Sequence, residues 1–183
     1  MTKWQKHLQQ LLTRPDGRQL RLALVGVGQT LMGDDGAGTL IARQIGSCLN
    51  DPSLLVVAAE HAPENCMGVV TRFRPDVVLF VDAVRAGGRA GDILWLTAEQ
   101  AESAGGSTHT LSLAILGEYL ARITGADAYI LGIEPGHVAF GEEVSAPVAA
   151  AIDEVAATLA DYWRSAATAS SAMAAGEFSV EST

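Results

Sequence analysis

Two adjacent carboxylates, Asp34 and Asp35, stand in the glycine-rich run Gly26-Val27-Gly28-Gln29-Thr30-Leu31-Met32-Gly33-Asp34-Asp35-Gly36-Ala37-Gly38. A dinucleotide fingerprint would need its third glycine at Leu31, and a P-loop would need Lys and Ser/Thr where Asp34 and Asp35 stand. Two aspartates repel a pyrophosphate and attract a cation, so the loop points to metal contact or acid–base work rather than to a nucleotide. Asp82 closes the apolar run Val77-Val78-Leu79-Phe80-Val81, and a carboxylate at the end of a buried strand needs a hydrogen-bond partner or a cation. His109 stands in Ser107-Thr108-His109-Thr110, at the start of a helical pattern. Two carboxylates and an imidazole suit a divalent transition metal with open positions, and nickel, zinc, iron and manganese all fit that donor set. Each residue also has a structural alternative: Asp34 as the cap of the next helix, Asp82 bonded to loop amides, His109 as a surface or capping residue.

These residues must be positioned by the elements around them. Apolar runs predict strands at Leu20–Val27, Leu54–Ala59, Val77–Asp82, Ile93–Thr97 and Ala128–Ile133, and helical spacing predicts helices at Ala37–Leu49, Asn65–Phe73, Thr110–Thr124 and Ser145–Arg164. The alternation is that of a single-domain α/β sandwich of three layers: a mainly parallel, twisted sheet of about five strands with helices on both faces. The link from Ala83 to Asp92 is short for a crossover helix, so one edge strand is expected to run antiparallel. Ligands of such sheets collect at the carboxyl edge, which is where Asp35 and Asp82 both fall. In the helix that follows His109, the apolar positions Leu111, Ile115, Leu116, Tyr119 and Leu120 are expected to face the sheet. Trp4, Leu8, Leu11 and Leu12 predict a short amphipathic helix inside an appendage over residues 1–19, ahead of the main domain at 20–165. The Ala/Ser/Thr-rich stretch 166–183 has no face to bury and is expected to be a disordered tail.

A chain of 183 residues with 49% hydrophobic and 18% charged residues can bury a sizeable core. Its formal net charge of −9 provides no basic stripe for nucleic acid or an anionic membrane. The two cysteines have no disulfide or zinc spacing, no apolar run reaches membrane-spanning length, and Met1 to Thr13 lacks a signal-peptide core. A cytoplasmic location is expected. No Gly-x-Ser-x-Gly elbow is present, and neither cysteine neighbours a base in sequence. Among the other histidines, His61 is placed to rim the carboxyl edge, His137 lies in a turn that could reach it, and His7 belongs to the N-terminal helix. Glu60, after the second strand, is the one acid suited to a ribose contact in a nucleotide-binding alternative.

In order along the chain, Val25-Gly26-Val27-Gly28 through Gly38, Ala62-Pro63-Glu64-Asn65, Arg74-Pro75-Asp76, Val81-Asp82-Ala83, Gly91-Asp92-Ile93, Thr108-His109 with Leu111, and Leu131-Gly132-Ile133-Glu134-Pro135 resemble the nickel–iron hydrogenase maturation endopeptidases, over about Leu20 to Tyr162. The Ala-Pro-Glu-Asn segment resembles most closely the hydrogenase 3, formate hydrogenlyase, branch. Departures fall at Glu60-His61, at His137 and in the first 19 residues. The resemblance implies an aspartic-type peptidase that removes the C-terminal extension of a hydrogenase large-subunit precursor, next to its C-terminal cysteine motif, once nickel is loaded. It also implies that Asp35, Asp82 and His109 are both the catalytic and the metal-contacting residues. The nickel would be supplied by the precursor, no organic cofactor would be needed, and neither nucleic acid nor membrane insertion would be involved. A non-catalytic checkpoint that binds the nickel site is the second hypothesis, and a nucleotide-binding α/β enzyme the third.

Overall fold

The computed structural model of the protein describes residues 1–13, 18–97, 100 and 108–177, with the backbone alone at 108–111 and 169–177. The elements run α1 (Lys3–Leu12), β1 (Leu22–Val27), a 3-10 turn (Gly33–Gly36), α2 (Ala37–Cys48), β2 (Leu54–Glu60), a second 3-10 turn (Pro63–Cys66), α3 (Met67–Phe73), β3 (Val77–Ala83), β4 (Ile93–Thr97), α4 (Thr108–Thr124), β5 (Asp127–Ile133) and α5 (Ala146–Glu177). They form a five-stranded sheet in the order β2-β1-β3-β5-β4. Pairings β1–β2, β1–β3 and β3–β5 are parallel, and β4 closes one edge antiparallel to β5, as the short link after β3 predicts.

Side-chain alternation along the strands divides the core into two layers. Leu22 and Leu24 of β1, Leu79 and Val81 of β3 and Leu131 and Ile133 of β5 pack with α1, α2 and α5 on one face. Ala23, Val25, Val78, Phe80 and Ile130 pack under α3 and α4 on the other. Every residue of β1 and β3 is buried, which is why both read as near-continuous apolar runs. The same alternation puts Asp82 on the α3/α4 face, level with Gly132 of β5 at the end of the ladder.

Three expectations change here. Helix α1 is part of the core, because Trp4, Leu8 and Leu12 are buried in the first layer and His7 stacks on Trp95 of β4. Its apolar face covers the edge of the sheet near β4. Helix α4 buries Leu113, Ala114 and Leu120, whereas Ile115, Tyr119 and Ile123 are at least half exposed. Placing Gly117 against Ala128 and Phe80 turns the helix to present a small face to the sheet, which an apolar count alone does not detect. Helix α5 runs past Ala166 to Glu177; alanine is the strongest helix former and can extend a docked helix without a face to bury. Residues 178–183 lie outside those described.

No helix among the described residues is long and apolar enough to cross a membrane. If α1 belongs to the core, Leu8→Ala should lower the unfolding free energy by ~2–5 kcal/mol, read as a shifted urea midpoint at unchanged slope. A midpoint equal to that of the wild type would restore the appendage reading.

Candidate functional site

At the carboxyl edge of the sheet, a cleft of about 540 Å³ is lined by Gly28, Gln29, Met32, Asp35, His61, Asp82, Ala83, Arg85, Pro135 and Val138. The glycines of the first loop make it possible. Gly28 has φ +112, and a Cβ there would fall on the Asp35 carbonyl oxygen, so only glycine lets the Gly33–Gly36 turn fold back over the end of β1. A Cβ on Gly38 would likewise fall on the Val81 carbonyl oxygen, so α2 starts against the last residues of β3. Thr39 secures the turn by donating its hydroxyl to the Gly28 carbonyl at 2.6 Å. The loop thus delivers Asp35 to the side of Asp82, from an element more than forty residues away in sequence.

The two carboxylates differ in environment. Asp35 is partly exposed and accepts the Gln29 N–H on Oδ2 at 2.7 Å. Asp82 is 2% exposed, and its buried Oδ2 has no hydrogen-bond partner. Burial first, and then the charge of Asp35, push the Asp82 carboxyl up to about 7, against a backbone hydrogen bond at Ala83 that lowers it. A buried oxygen left unpaired opposite a second carboxylate is costly in a resting protein. It is also suited to accept a proton near neutral pH, or to meet a cation brought to it.

Of the residues expected at the site, Asp35 and Asp82 are brought together and His61 lines the cleft. His109 lies in the first turn of α4, and its side chain is outside the described residues. Among those that are described, no group of three His, Cys, Asp or Glu is close enough to hold a metal. His137 contributes its backbone to the loop beside the cleft, with its side chain exposed. Glu60 is in an ion pair with Arg43 at 2.8 Å. The Cys66 thiol is pushed up to about 11, chiefly by burial, and donates to the Pro63 carbonyl at 2.8 Å, which removes it as a nucleophile.

The capping role expected of Asp34 is not what its side chain does: the cap position of α2 is Gly36, which makes no side-chain capping bond. Asp34 is fully buried. Its carboxylate accepts N–H bonds from Gly136 and His137 at 2.8 Å and Ser145 at 2.7 Å, and the Ser145 hydroxyl at 2.9 Å. Burial raises its pKa, and the four donors outweigh that and hold it below the ordinary carboxylate range. Asp34 therefore clamps the loop after β5, with its cleft-lining Pro135 and Val138, onto the turn that carries Asp35. A local sequence reading finds the nearest orphan amides and misses those a hundred residues away.

Two further residues have no sequence-level forecast of a role. Glu134, 5% exposed, accepts the backbone N–H of Ala86 at 2.7 Å and of Gly88 at 3.1 Å. That holds the loop after β3, including Arg85, which lines the cleft and pairs with no acid among the described residues. The only available signal was the Arg-Ala-Gly-Gly-Arg composition three residues after Asp82.

The chain was compared with known proteins. The family model "HycI: Hydrogenase maturation protease" matches residues 37–162. The hydrogenase 3 maturation protease of Escherichia coli K12 is 33% identical over 135 residues, 72% of this chain and 84% of that protein. A crystal structure of a [NiFe] hydrogenase maturation protease HycI from Thermococcus kodakarensis superposes with a TM-score of 0.78 at 28% identity, covering 86% of this chain and 99% of that one. A crystal structure of a hydrogenase 3 maturation protease gives 0.69 at 29% identity over 78% and 91%.

Asp82 makes stability depend on pH with a definite sign. Its carboxyl holds a proton in the folded state up to about 7, whereas the unfolded chain releases it near 4. The folded state therefore binds more protons between those values, and stability falls as pH rises through them. Full linkage would be on the order of 4 kcal/mol, seen as a melting temperature for the wild type that drops from pH 4.5 to pH 7.5. Asp82→Asn should flatten that drop; an identical slope in the variant would place the titration elsewhere. Asp34→Ala strands the amides of Gly136, His137 and Ser145 and should cost ~3 kcal/mol or more at pH 7, measurable by urea denaturation.

Proposed function

The chain belongs to the hydrogenase maturation protease family and is a peptidase acting on a hydrogenase large-subunit precursor, and we propose that Asp35 and Asp82, with His109, are the groups through which it reads the precursor's nickel and cuts. One observation carries this reading: a buried carboxylate oxygen on Asp82 with no partner of its own, opening on a cleft that also holds Asp35. Hard oxygen donors left unpaired at the floor of a cleft fit a cation that arrives with the substrate. The nickel is part of the precursor, so loading becomes the condition for cutting: an empty precursor leaves the buried Asp82 oxygen without a partner.

In the chemical step, water adds to the scissile carbonyl carbon while a carboxylate takes the water's proton, and collapse breaks the C–N bond as that proton passes to the leaving amine. The products are a new C-terminal carboxylate on the mature subunit and a free amine on the released extension. Asp82, raised into the neutral range by burial and by Asp35, holds a proton until the ion arrives, and the ion would free it, so Asp35 and Asp82 share the roles of base and metal contact. Asp35, bonded through Oδ2 to Gln29, is the better fixed contact for the metal. His109, at the start of α4 and so on the sheet face toward which Asp82 points, would complete the contact. The reading includes a substrate cut beside the precursor's C-terminal cysteine motif, in the cytoplasm, where free Cys48 and Cys66 would remain reduced. The nucleotide alternative has little left to support it, since Glu60 is taken by Arg43. Strand–loop–helix geometry here serves a carboxylate and not a phosphate.

The test is mass spectrometry of a hydrogenase 3-type large-subunit precursor, nickel-loaded or nickel-free, incubated with wild type, Asp35→Asn or Asp82→Asn. Release of one C-terminal peptide from the loaded precursor by the wild type alone is the expected outcome, with either variant at least about a hundredfold slower. Cutting of the empty precursor at an equal rate would remove nickel from the reading. Binding without release by the wild type would favour the checkpoint function.

A further inference from the structure

On the rim of the cleft, two large apolar side chains stand in water beside one another in the fold. Phe140 is 78% exposed and Leu31 62% exposed, and their segments are joined by the Gly141 N–H bond to the Leu31 carbonyl at 2.8 Å. Neither belongs to either core layer. Each lies next to the cleft: Met32, one residue after Leu31, and Val138, two before Phe140, both line it.

Their exposure is held in place by the fold. The Leu31 segment leads into the turn that carries Asp34 and Asp35. Phe140 sits within the 134–145 loop, whose Gly136, His137 and Ser145 amides all end on the buried Asp34 carboxylate. The Asp34 N–H returns the bond to the His137 carbonyl at 3.1 Å, and the Glu142 N–H bonds the Ala139 carbonyl at 3.3 Å. Two loops tied together at both ends thus present a phenylalanine and a leucine outward at fixed positions. Exposed apolar groups on loops whose backbone is already held, beside a substrate cleft, mark a contact surface, because the loop's ordering cost is met in the free protein.

We propose that Leu31 and Phe140 form the docking surface for an apolar side chain of the precursor close to its scissile bond. The inference rests on the proposed function above, which puts the scissile bond in the cleft that Asp35 and Asp82 line. A rim one or two residues removed from the cleft-lining Met32 and Val138 would meet substrate residues near the cut. The occupant is apolar because the two exposed side chains that the rim offers, Leu31 and Phe140, are hydrocarbon. Leu31 and Phe140 are specificity contacts, separate from the groups that take or give protons.

The experiment measures processing of nickel-loaded precursor by Leu31→Ala, Phe140→Ala and the double variant, with Ile115→Ala, exposed on α4, as the control for loss of an apolar surface residue. Melting temperatures should match the wild type, since both side chains are exposed. KM should rise about tenfold for Phe140→Ala and further for the double variant, with kcat within about twofold and the control unchanged. In parallel, affinity for the loaded precursor is measured in the uncleaving Asp35→Asn background, where adding Phe140→Ala should weaken binding by the same factor. Unchanged KM and unchanged affinity would overturn the docking surface, and so would a fall in kcat alone. Failure of the functional reading looks different: Asp35→Asn would cut as the wild type does, whatever happens at Phe140.

Discussion

Gly38 packs on the Val81 carbonyl oxygen with no room for a Cβ, and this approach fixes how far the Gly33–Gly36 turn reaches over the end of β3. A side chain at position 38 would lift the start of α2 away from the sheet, and Asp35 would leave the side of Asp82 with it. Gly28 does the corresponding work at the end of β1, where its φ of +112 and its contact with the Asp35 carbonyl set the height of the turn. The loop looks like a nucleotide loop because both tasks need the backbone of a helix start brought close to the end of a strand. They differ in what fills the space gained. In a nucleotide site the backbone amides remain free for phosphate. In this chain the Gln29 amide is given to Asp35, and the amides at the far side of the cleft to Asp34.

The neighbouring aspartates divide the labour through burial and partners. Asp34, with four hydrogen bonds, is a charge that the fold has fully answered, and its effect is rigidity: it joins the first strand's loop to the last strand's loop. Asp82 is a charge left unanswered, with an oxygen that no protein group meets. A stable fold can carry one such group because the layers on either side of β3 are continuous and apolar. The same side chains that make β3 an unbroken buried strand isolate the carboxylate at its end from water, and that isolation raises its pKa. Core packing and reactivity are one arrangement seen from two ends of a strand.

Much of this was legible in the sequence because it is local or periodic. The buried runs of β1 and β3, the antiparallel edge implied by the short Ala83–Asp92 link, and the gathering of Asp35 and Asp82 at one edge all follow from residue types, spacing and the rule that parallel strands share an edge. What was not legible depends on pairings between distant segments. Asp34 has an acceptor's chemistry wherever it stands, and only the fold shows that its donors are Gly136, His137 and Ser145 rather than the amides of the next helix. Helix α1 carried a clear apolar face, yet nothing local says that β4 and α5 will cover Trp4 and Leu8. In α4 the count of apolar positions points to Ile115 and Tyr119 as the inner face, whereas contact through Gly117 leaves both outside. Arg85 and Glu134 are single charged residues in loops, and only their mutual position makes them part of a site.

Under the proposed reading, the arrangement of the cleft also bears on how a loaded precursor would be told from an empty one. Binding energy discriminates between two forms of a substrate only where the contacts differ. The rim residues Leu31 and Phe140 meet polypeptide and are indifferent to metal, so by themselves they would hold empty and loaded precursors equally. Asp35 and Asp82 behave oppositely. With no cation the burial of Asp82 and the charge of Asp35 hold a proton on Asp82 up to about 7; a divalent ion contacting the carboxylates would displace that proton and supply the missing partner. Recognition of the chain would then rest on the two rim loops and recognition of the metal on Asp35, from the first of them, with Asp82 at the end of β3; the Asp34 clamp keeps the two rim loops in register. Under the proposed reading, a peptide that docks on the rim without nickel leaves the buried Asp82 oxygen without a partner, and the ion that arrives with a loaded precursor supplies one.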